Sequence, residues 1–407
     1  MNLRRIVLDE LDREGQLAAI DGAHAGALAG TRLVEARPER AGWRLVPTGR
    51  VGSVRIGDVQ VEVRPKEKVG LTRLLFLLGY ARDPGWRPGT VAAHRDDDLW
   101  PALAESLVRL TRAALSPGVL QGYRTVDDSL RTVRGRIRIG DQITRRPGQM
   151  VPIEVTYDEF TVDIAENRIL RTALRRMQGV PRLSDAARAG LAHLDGQLAG
   201  VSIIAPGMRL PEWRPDRRNS RYVPALRLAE VVLANTSAET GPHGLQMASF
   251  VVDMASVYED FVGTALTEAL ARYPGGTRLQ HPARLDLPQP DGRPGIRMAV
   301  DIVHTVRGRP TLVLDAKYKA ASPTGAYPNA DHYQMLAYAT ALQVTTVWLV
   351  YANGPHGARR IAHSDVTIME HSLDLSAHPA DLLTQTDHLA DRAWAEAATH
   401  APATRPA

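Results

Sequence analysis

Cysteine is absent from the 407-residue sequence, so disulfide bonds and thiolate metal ligands are both excluded. Long hydrophobic runs are also missing, because the most apolar strand-like run, 344–352, is far shorter than the roughly 20 residues that span a bilayer. The N-terminal segment 1–15 is charged and has no apolar core, unlike a signal peptide. We therefore expect a cytoplasmic protein without a membrane partner.

Lysine is almost as scarce as cysteine. Of the 50 basic residues only four are lysines and the other 46 are arginines. The lysines fall in two short segments, 64–68 with Lys66 and Lys68, and 315–319 with Lys317 and Lys319. In so arginine-rich a chain, lysine is expected to persist where a compact ammonium is needed and a planar guanidinium fails. Chance clustering is the alternative.

Two further absences limit the chemistry. The sequence has no Gly-x₄-Gly-Lys-Ser/Thr loop, so hydrolysis of a nucleoside triphosphate by this chain is not expected. Its 13 histidines have no paired ligand spacing, which argues against a zinc site. A net charge of +5 permits nucleic acid as a partner without requiring it.

The length of the chain predicts more than one domain. Alternating valines predict a β-hairpin over 51–63 with a Gly57-Asp58 turn of type II′. The segment 130–146 resembles a basic strand or ribbon, and the Ser, Thr, Gly and Pro residues of 236–245 resemble a linker. Helices are predicted over 71–81, 97–115, 161–178 and 184–199. The predicted parts are an α+β N-terminal domain (1–155), a helical connecting region (156–245), an α/β domain (246–390) and a tail (391–407).

The α/β domain has a predicted order of helix, three strands, helix and strand. The predicted elements are helix 248–272, strands 277–285, 296–305 and 311–318, helix 331–342 and strand 345–351. Continuous apolar runs in the strands, such as Leu312–Leu314, fit central strands that are covered on both faces. We therefore predict an αβββαβ core with a mixed sheet, and an α/β fold class for the chain.

Two aspartates are predicted to face each other within this core. If the loop between the strands 296–305 and 311–318 is centred on Gly308, Asp301 and Asp315 lie at equal distances on either side of it. Directly opposed residues of a hairpin have Cβ atoms about 4.5–5.5 Å apart. Two carboxylates that close repel each other unless a cation lies between them. Hard oxygen ligands of this kind suit Mg²⁺.

Lys317 lies two residues after Asp315 and therefore projects from the same face of the strand. An ammonium beside a metal ion can orient the attacking water or stabilise charge on a phosphate, which is the chemistry of phosphodiester hydrolysis. Glu259 lies in an otherwise apolar lane of the predicted helix 248–272 and is a third candidate ligand, or else an acid at the edge of that lane. Gln334 and Tyr338 share a helix face, either contacting DNA or water or simply lying on the helix surface.

Taken together, these residues resemble the PD-(D/E)xK nuclease superfamily, with Asp315 where Glu is usual and Val300 before Asp301. The closer resemblance is to the McrC family, the nuclease subunit of McrBC-type modification-dependent restriction systems. The motifs that carry it, from about 51 to 351, are Arg64-Pro-Lys66, Leu130–Arg136, Tyr157–Phe160, Val257–Phe261, Leu314–Lys319 and Tyr333–Ala339.

The resemblance implies a Mg²⁺-dependent DNA endonuclease that acts with an McrB-type AAA+ GTPase hexamer, which recognises and translocates methylated double-stranded DNA. It also implies that the N-terminal part of the chain docks in the hexamer pore and stimulates GTP hydrolysis. The alternatives are a stand-alone nuclease of the same fold and a non-catalytic activator of the AAA+ partner.

Basic residues outside the core are weaker candidates for contacts with DNA or a partner, and a solvated basic surface is the alternative for each. Trp213 and Tyr222 lie among arginines, which suits stacking and contact with DNA phosphates, or else anchors their loop. The candidate contact residues are Lys66, Arg134, Arg136, Arg138, Arg217, Arg218 and Tyr338.

Overall fold

In the computed structural model, ten helices and seventeen strands are described. The structure describes residues 4–65, 71–82, 99–180, 183–240, 246–287, 295–318, 329–352, 354 and 356–399. Lys66, Lys68, Lys319 and the first two residues of the predicted helix 97–115 lie outside these residues. The predicted α/β class is confirmed, with helices and both mixed and antiparallel sheets among the described residues. No described helix has both the length and the apolar character needed to cross a membrane.

The chain forms two compact units: residues 1–54, 59–96 and 251–407 belong to the first, and residues 55–58 and 97–250 belong to the second. This grouping differs from the predicted parts 1–155, 156–245 and 246–390. The docking and connecting roles given to those parts stay predictions. The expected tail from 391 is helical as far as Thr399.

The N-terminal part of the first unit contains a small antiparallel sheet in the order β2-β4-β3 and a strand, β1, that pairs in parallel with β6. The predicted hairpin over 51–63 is confirmed as β5 and β6, and Gly57 has the positive φ of 55° that its turn requires. The elements are β1 (Arg4–Asp9), β2 (Gln16–Ala18), α1 (Gly22–Gly30), β3 (Val34–Glu39), β4 (Gly42–Pro47), β5 (Arg50–Ile56), β6 (Val59–Arg64) and α2 (Leu71–Arg82).

The second unit packs helices beside a three-stranded sheet in the order β7-β9-β8. Its elements are α3 (Leu99–Leu115), β7 (Gly122–Leu130), β8 (Arg136–Ile137), α4 (Ile139–Arg145), β9 (Ile153–Thr161), α5 (Ala165–Gln178), α6 (Asp185–Gln197), α7 (Val223–Asn235) and β10 (Thr236–Thr240). β10 pairs with the next strand, β11 (Gln246–Asp253).

Three predicted segments of the chain have a different structure. The prediction of a basic ribbon over 130–146 is wrong, because only Leu130, at the end of β7, and the two residues of β8 are extended there, and α4 follows. Gly135 breaks the strand: its φ is +71°, and a Cβ atom would lie 2.3 Å from the carbonyl oxygen of Thr156. Residues 236–240 of the expected linker form β10. The helix predicted from 248 begins only at Met254, where Asp253 accepts hydrogen bonds from Ala255 and Ser256.

The C-terminal part of the first unit is a six-stranded mixed sheet in the order β12-β13-β14-β15-β17-β16. Its elements are α8 (Met254–Leu270), β12 (Gly276–Arg284), β13 (Arg297–Val306), β14 (Arg309–Lys317), α9 (Asn329–Leu342), β15 (Thr346–Ala352), β16 (Gly357–Arg360), β17 (Thr367–Leu373) and α10 (Pro379–Thr399). The predicted αβββαβ order is confirmed as α8 to β15. β14 lies between β13, its antiparallel neighbour, and β15, its parallel neighbour, so it is central and its apolar run is covered.

Candidate active site

The hairpin of β13 and β14 sets the position of both aspartates. Its two-residue loop, Arg307-Gly308, has positive φ at both positions (51° and 79°), as a type I′ turn requires. The loop is therefore not centred on Gly308. A register shift next to His304 and Thr305 compensates, and beyond it Ile302 pairs with Leu314. The pairing ends there, and Asp301 and Asp315 are the next residues on the two strands, so the register agrees with the predicted facing of the two aspartates.

Asp315 is completely buried. Neither of its carboxylate oxygens accepts a well-directed hydrogen bond. Burial first, and the neighbouring Asp301 second, raise the pKa of Asp315 to about 7. A buried, unsatisfied carboxylate is costly to a fold, so a cation at this position would relieve the cost.

Lys317 provides part of that positive charge. Its Nζ lies 2.7 Å from Oδ2 of Asp315, and its side chain is mostly buried. Burial lowers the pKa of Lys317, but the charges of Asp315, Asp301 and Glu259 together outweigh burial and raise the pKa above its ordinary value. The ammonium is therefore charged at neutral pH and is placed on the strand face predicted from the sequence.

Glu259 lies on α8 and belongs to the same cluster. The sequence predicted this residue because it is the one acid in an apolar lane of the helix. Burial raises its pKa, and the charge of Asp301 raises it further, while Lys317 acts in the opposite direction. Four predicted residues are thus electrostatically coupled in one place, and three of them are acids: Glu259, Asp301, Asp315 and Lys317.

Asp301 is held by two hydrogen bonds, and one of them comes from a residue that the sequence did not point to. The backbone N–H of Ala316 donates to Oδ2 at 3.3 Å, and Nε2 of Gln280 donates to Oδ1 at 3.1 Å. Gln280 lies across from Asp301 on β12 with a φ of +48°, a conformation that is rare outside glycine and asparagine. No alternation or motif marks such a position in a sequence.

Gln334 and Tyr338 are brought to the edge of the cluster rather than into it. Tyr338 is buried, and its hydroxyl donates to the carbonyl oxygen of Ala299 at 2.9 Å while it accepts from Nε2 of Gln334 at 2.6 Å. Burial first, and Asp315 second, raise the pKa of Tyr338. The pair fixes one flank of α9 against β13. Their direct contact with DNA or water stays a prediction.

The opposite flank of α9 is fixed by residues that sequence reasoning missed. Nε2 of His332 lies 2.9 Å from Oε1 of the buried Glu370 on β17, and Nε of Arg359 donates to the same oxygen at 2.6 Å. Glu370 pairs with Leu349, which in turn pairs with Asp315. Glu370 therefore shares the sheet face of the candidate site, two strands away.

The chemistry of the acids suits a hard divalent cation. Among the described residues no group of three or more His, Cys, Asp or Glu is arranged as a ready ligand set. The buried carboxylate of Asp315, whose oxygens accept no well-directed hydrogen bond, nevertheless fits, together with Asp301, an oxygen-preferring ion such as Mg²⁺. Asp301, Asp315 and Glu259 are the residues that would hold it.

The basic candidates of the second unit have varied surroundings. The guanidinium of Arg134 lies 4.0 Å from the centre of the Tyr157 ring, and Arg138 forms ion pairs with Glu154 at 3.1 Å and with Asp127 at 3.3 Å. Arg136 is exposed on β8. Arg217 is also exposed, and Arg218 pairs with Asp216 at 3.2 Å. Their contacts with DNA or a partner stay predictions.

The two aromatic residues of the arginine-rich loop anchor it. Nε1 of Trp213 donates to Glu230 at 2.8 Å, and the guanidinium of Arg227 lies over the Trp213 ring. Tyr222 is fully buried, and its hydroxyl accepts a hydrogen bond from the backbone of Leu120 at 2.8 Å. The anchoring interpretation therefore accounts for both rings.

The arrangement of sheet, flanking helices and opposed acids is consistent with an α+β nuclease domain. Residues 45–352 match the family described as "McrBC 5-methylcytosine restriction system component". Because the match covers most of the chain, the protein belongs to this family, and the resemblance drawn from the sequence is confirmed. No curated protein sequence matches.

Two solved structures, both from Thermococcus gammatolerans, are similar to the chain. One is the half-complex from a tetradecameric assembly of McrB AAA+ hexamers with bound McrC: identity is 15%, the TM-score is 0.57, and 95% of this chain and 99% of that chain are covered. The other is the McrBC complex: identity is 18%, the TM-score is 0.39, and 67% and 89% are covered. At these identities the first likeness shows the fold alone.

Proposed function

We propose that the chain is the Mg²⁺-dependent DNA endonuclease subunit of a McrBC-like restriction system, of the PD-(D/E)xK type. The observation that carries the proposal is the completely buried carboxylate of Asp315, with Asp301 opposite it and the Lys317 ammonium 2.7 Å from its Oδ2. Burying such a charge costs stability, so we infer that the chain retains it for function.

The proposed roles follow from these positions. When bound by Asp301, Asp315 and Glu259, Mg²⁺ would supply Lewis-acid stabilisation of a phosphodiester group. Lys317 contributes a fixed ammonium toward the negative charge that develops on the phosphate. Gln280 and the backbone of Ala316 orient the Asp301 carboxylate. Tyr338 and His332 hold α9 on either side of the cluster.

Family membership and the structural likeness support an AAA+ partner, because McrC is bound to McrB AAA+ hexamers in the similar Thermococcus gammatolerans assembly. We propose that this chain stimulates GTP hydrolysis by such a hexamer through its N-terminal part and cuts the double-stranded, methylated DNA that the hexamer recognises.

The test is cleavage of methylated and unmethylated duplex DNA with Mg²⁺, with and without an McrB-type AAA+ partner and GTP. The proposal expects cleavage of methylated DNA only with partner and GTP together. Cleavage by the chain alone would favour the stand-alone nuclease. Stimulated GTP hydrolysis without cleavage under any condition would favour the non-catalytic activator.

A further inference from the structure

Glu10 places a carboxylate at a position of the first strand where an apolar side chain is expected. Along β1 the inward residues are Ile6 and Leu8, and the next inward position is Glu10, which is only 5% exposed. The backbone N–H of Glu10 donates to the carbonyl oxygen of Arg64 at 2.9 Å, so the residue continues the pairing of β1 with β6. A buried carboxylate in this position requires hydrogen-bond donors.

One of those donors belongs to a residue far away in the sequence. The hydroxyl of Tyr318 donates to Oε2 of Glu10 at 3.1 Å, across 308 residues of sequence. Burial, and then the charge of Glu10, raise the pKa of Tyr318, so the phenol stays protonated and able to donate. Hydrogen bonds to a charged partner are stronger than neutral ones.

Tyr318 directly follows Lys317, at the point where β14 ends. The pairing of β14 with β15 stops at Lys317 and Tyr351, so Tyr318 itself lies outside that pairing. The bond to Glu10 is therefore a constraint on the end of the strand that carries the ammonium.

The ring of Tyr318 also reaches the helix that carries Glu259. Its centroid lies 6.0 Å from that of Tyr258, with the planes tilted by 51°. Tyr258 is completely buried and immediately precedes Glu259 on α8. Tyr318 thus follows directly on the strand that carries Lys317 and packs its ring against the helix that carries Glu259.

We propose that Glu10 is a positioning residue for the candidate active site, acting through Tyr318 on the placement of Lys317 and Glu259. The inference rests on the proposed function of that site. Both segments in which the sequence retains lysine, 64–68 and 315–319, contribute a residue that contacts Glu10, namely Arg64 and Tyr318. Glu10, which directly follows β1, is therefore linked through Tyr318 to the end of β14, the strand that carries Asp315 and Lys317.

The experiment compares Tyr318→Phe, which removes only the hydroxyl, with Glu10→Gln, which keeps an acceptor, and Glu10→Ala, which does not. Asp9→Asn is the matched control, because Asp9 is the exposed neighbour on the same strand. Four quantities are measured on the full chain: DNA cleavage with an AAA+ partner and GTP, the Mg²⁺ concentration for half-maximal cleavage, Mn²⁺ binding by the chain alone, and the melting temperature.

Tyr318→Phe and Glu10→Ala are expected to slow cleavage by about tenfold, the size of one hydrogen bond to a charged group. They should also raise the half-maximal Mg²⁺ concentration and weaken Mn²⁺ binding several-fold. Glu10→Gln should lie between them and the unsubstituted chain, and Asp9→Asn should match that chain. Stimulation of the partner's GTP hydrolysis should survive in all four variants.

A purely structural role predicts a different result. The variants would then melt earlier, and below that temperature they would show an unchanged Mg²⁺ dependence, which overturns the proposal. If the unsubstituted chain cuts no DNA under any condition, the proposed function is wrong. The positioning role of Glu10 is then tested by Mn²⁺ binding alone. Equal Mn²⁺ affinity of Tyr318→Phe and the unsubstituted chain would then contradict it.

Discussion

Two buried aspartates, one in each unit of the molecule, have opposite surroundings. Asp163 accepts hydrogen bonds from the backbone and the hydroxyl of Ser202, at 2.7 and 2.8 Å, and pairs with Arg124. Asp315 has an ammonium at 2.7 Å, a second acid opposite it and no well-directed hydrogen bond to either oxygen.

The pKa values of the two carboxyls differ accordingly. Burial works to raise the pKa of Asp163, but its hydrogen bonds to Ser202 and the charge of Arg124 outweigh burial and lower the pKa. Burial and Asp301 raise the pKa of Asp315 to about 7. A buried acid with well-directed hydrogen bonds stabilises a fold. A buried acid without them, and with a raised pKa, is a candidate functional residue.

The sharpest test of this difference is Asp315→Asn. DNA cleavage should fall by about a thousandfold or more, as when other enzymes lose a residue that acts on the reacting group. The melting temperature without metal should stay the same or rise, because a buried charge is removed. Thermal denaturation and cleavage are measured on the same preparation, and a variant that melts well below the unsubstituted chain would argue for a structural role.

The difference in stability between the unsubstituted chain and Asp315→Asn should depend on pH when a chelator keeps both proteins free of metal. A carboxyl whose pKa is raised on folding binds more protons when folded, so its unfavourable contribution grows as pH rises from about 4 toward 7. The melting temperature of the unsubstituted chain should therefore gain from acidification over this range relative to that of Asp315→Asn. Identical pH profiles for the two proteins would contradict the raised pKa.

Lys317→Arg tests whether the cation beside Asp315 acts as Arg124 does beside Asp163. If only charge were needed, the guanidinium would serve. We expect cleavage to fall by about a hundredfold, because a planar fork cannot replace a compact ammonium at a preorganised site. Arg124→Lys is the matched exchange in the second unit and should leave cleavage within a few-fold of normal. Normal cleavage by Lys317→Arg would show that the scarcity of lysine misled the assignment.

Asp163→Asn is the converse of the first prediction. It should leave the chemistry of cleavage intact but destabilise the second unit by about 1–3 kcal/mol, because hydrogen bonds to a charged acceptor are lost or weakened. Denaturant unfolding with proteolysis localised to residues 97–250 measures the effect. A variant as stable as the unsubstituted chain would mean that the ion pair with Arg124 contributes little, as exposed pairs often do.

What the sequence could predict follows from the range of the interactions. The facing of Asp301 and Asp315 is local hairpin geometry, and it was predictable even though the loop centre was misplaced by half a residue. The start of α8 was missed because β11 obtains its structure from pairing with β10, which helical periodicity does not report.

Longer-range contacts left weaker signals in the sequence. Glu10 was not singled out from the sequence, because its partner, Tyr318, lies 308 residues away. His332 and Glu370 meet across 38 residues on different elements, and neither belongs to a motif. Such pairs are set by tertiary packing.

Substitution of Gln280, which no sequence pattern marked, has the smallest expected effect on cleavage. Its side chain orients Asp301, while its φ of +48° costs backbone energy that glycine would not incur. Gln280→Gly should therefore leave stability unchanged or slightly increased but slow cleavage by about fivefold to tenfold, the size of one hydrogen bond.

Gln280→Asn serves as the control, because asparagine tolerates the same backbone conformation but is too short to keep the bond unchanged. It should slow cleavage with little change in melting temperature. If instead Gln280→Gly cuts at the normal rate, the hydrogen bond to Asp301 is incidental. The strain at this position would then belong with the turn geometry of β12, and the orientation of Asp301 would rest on the backbone of Ala316 alone.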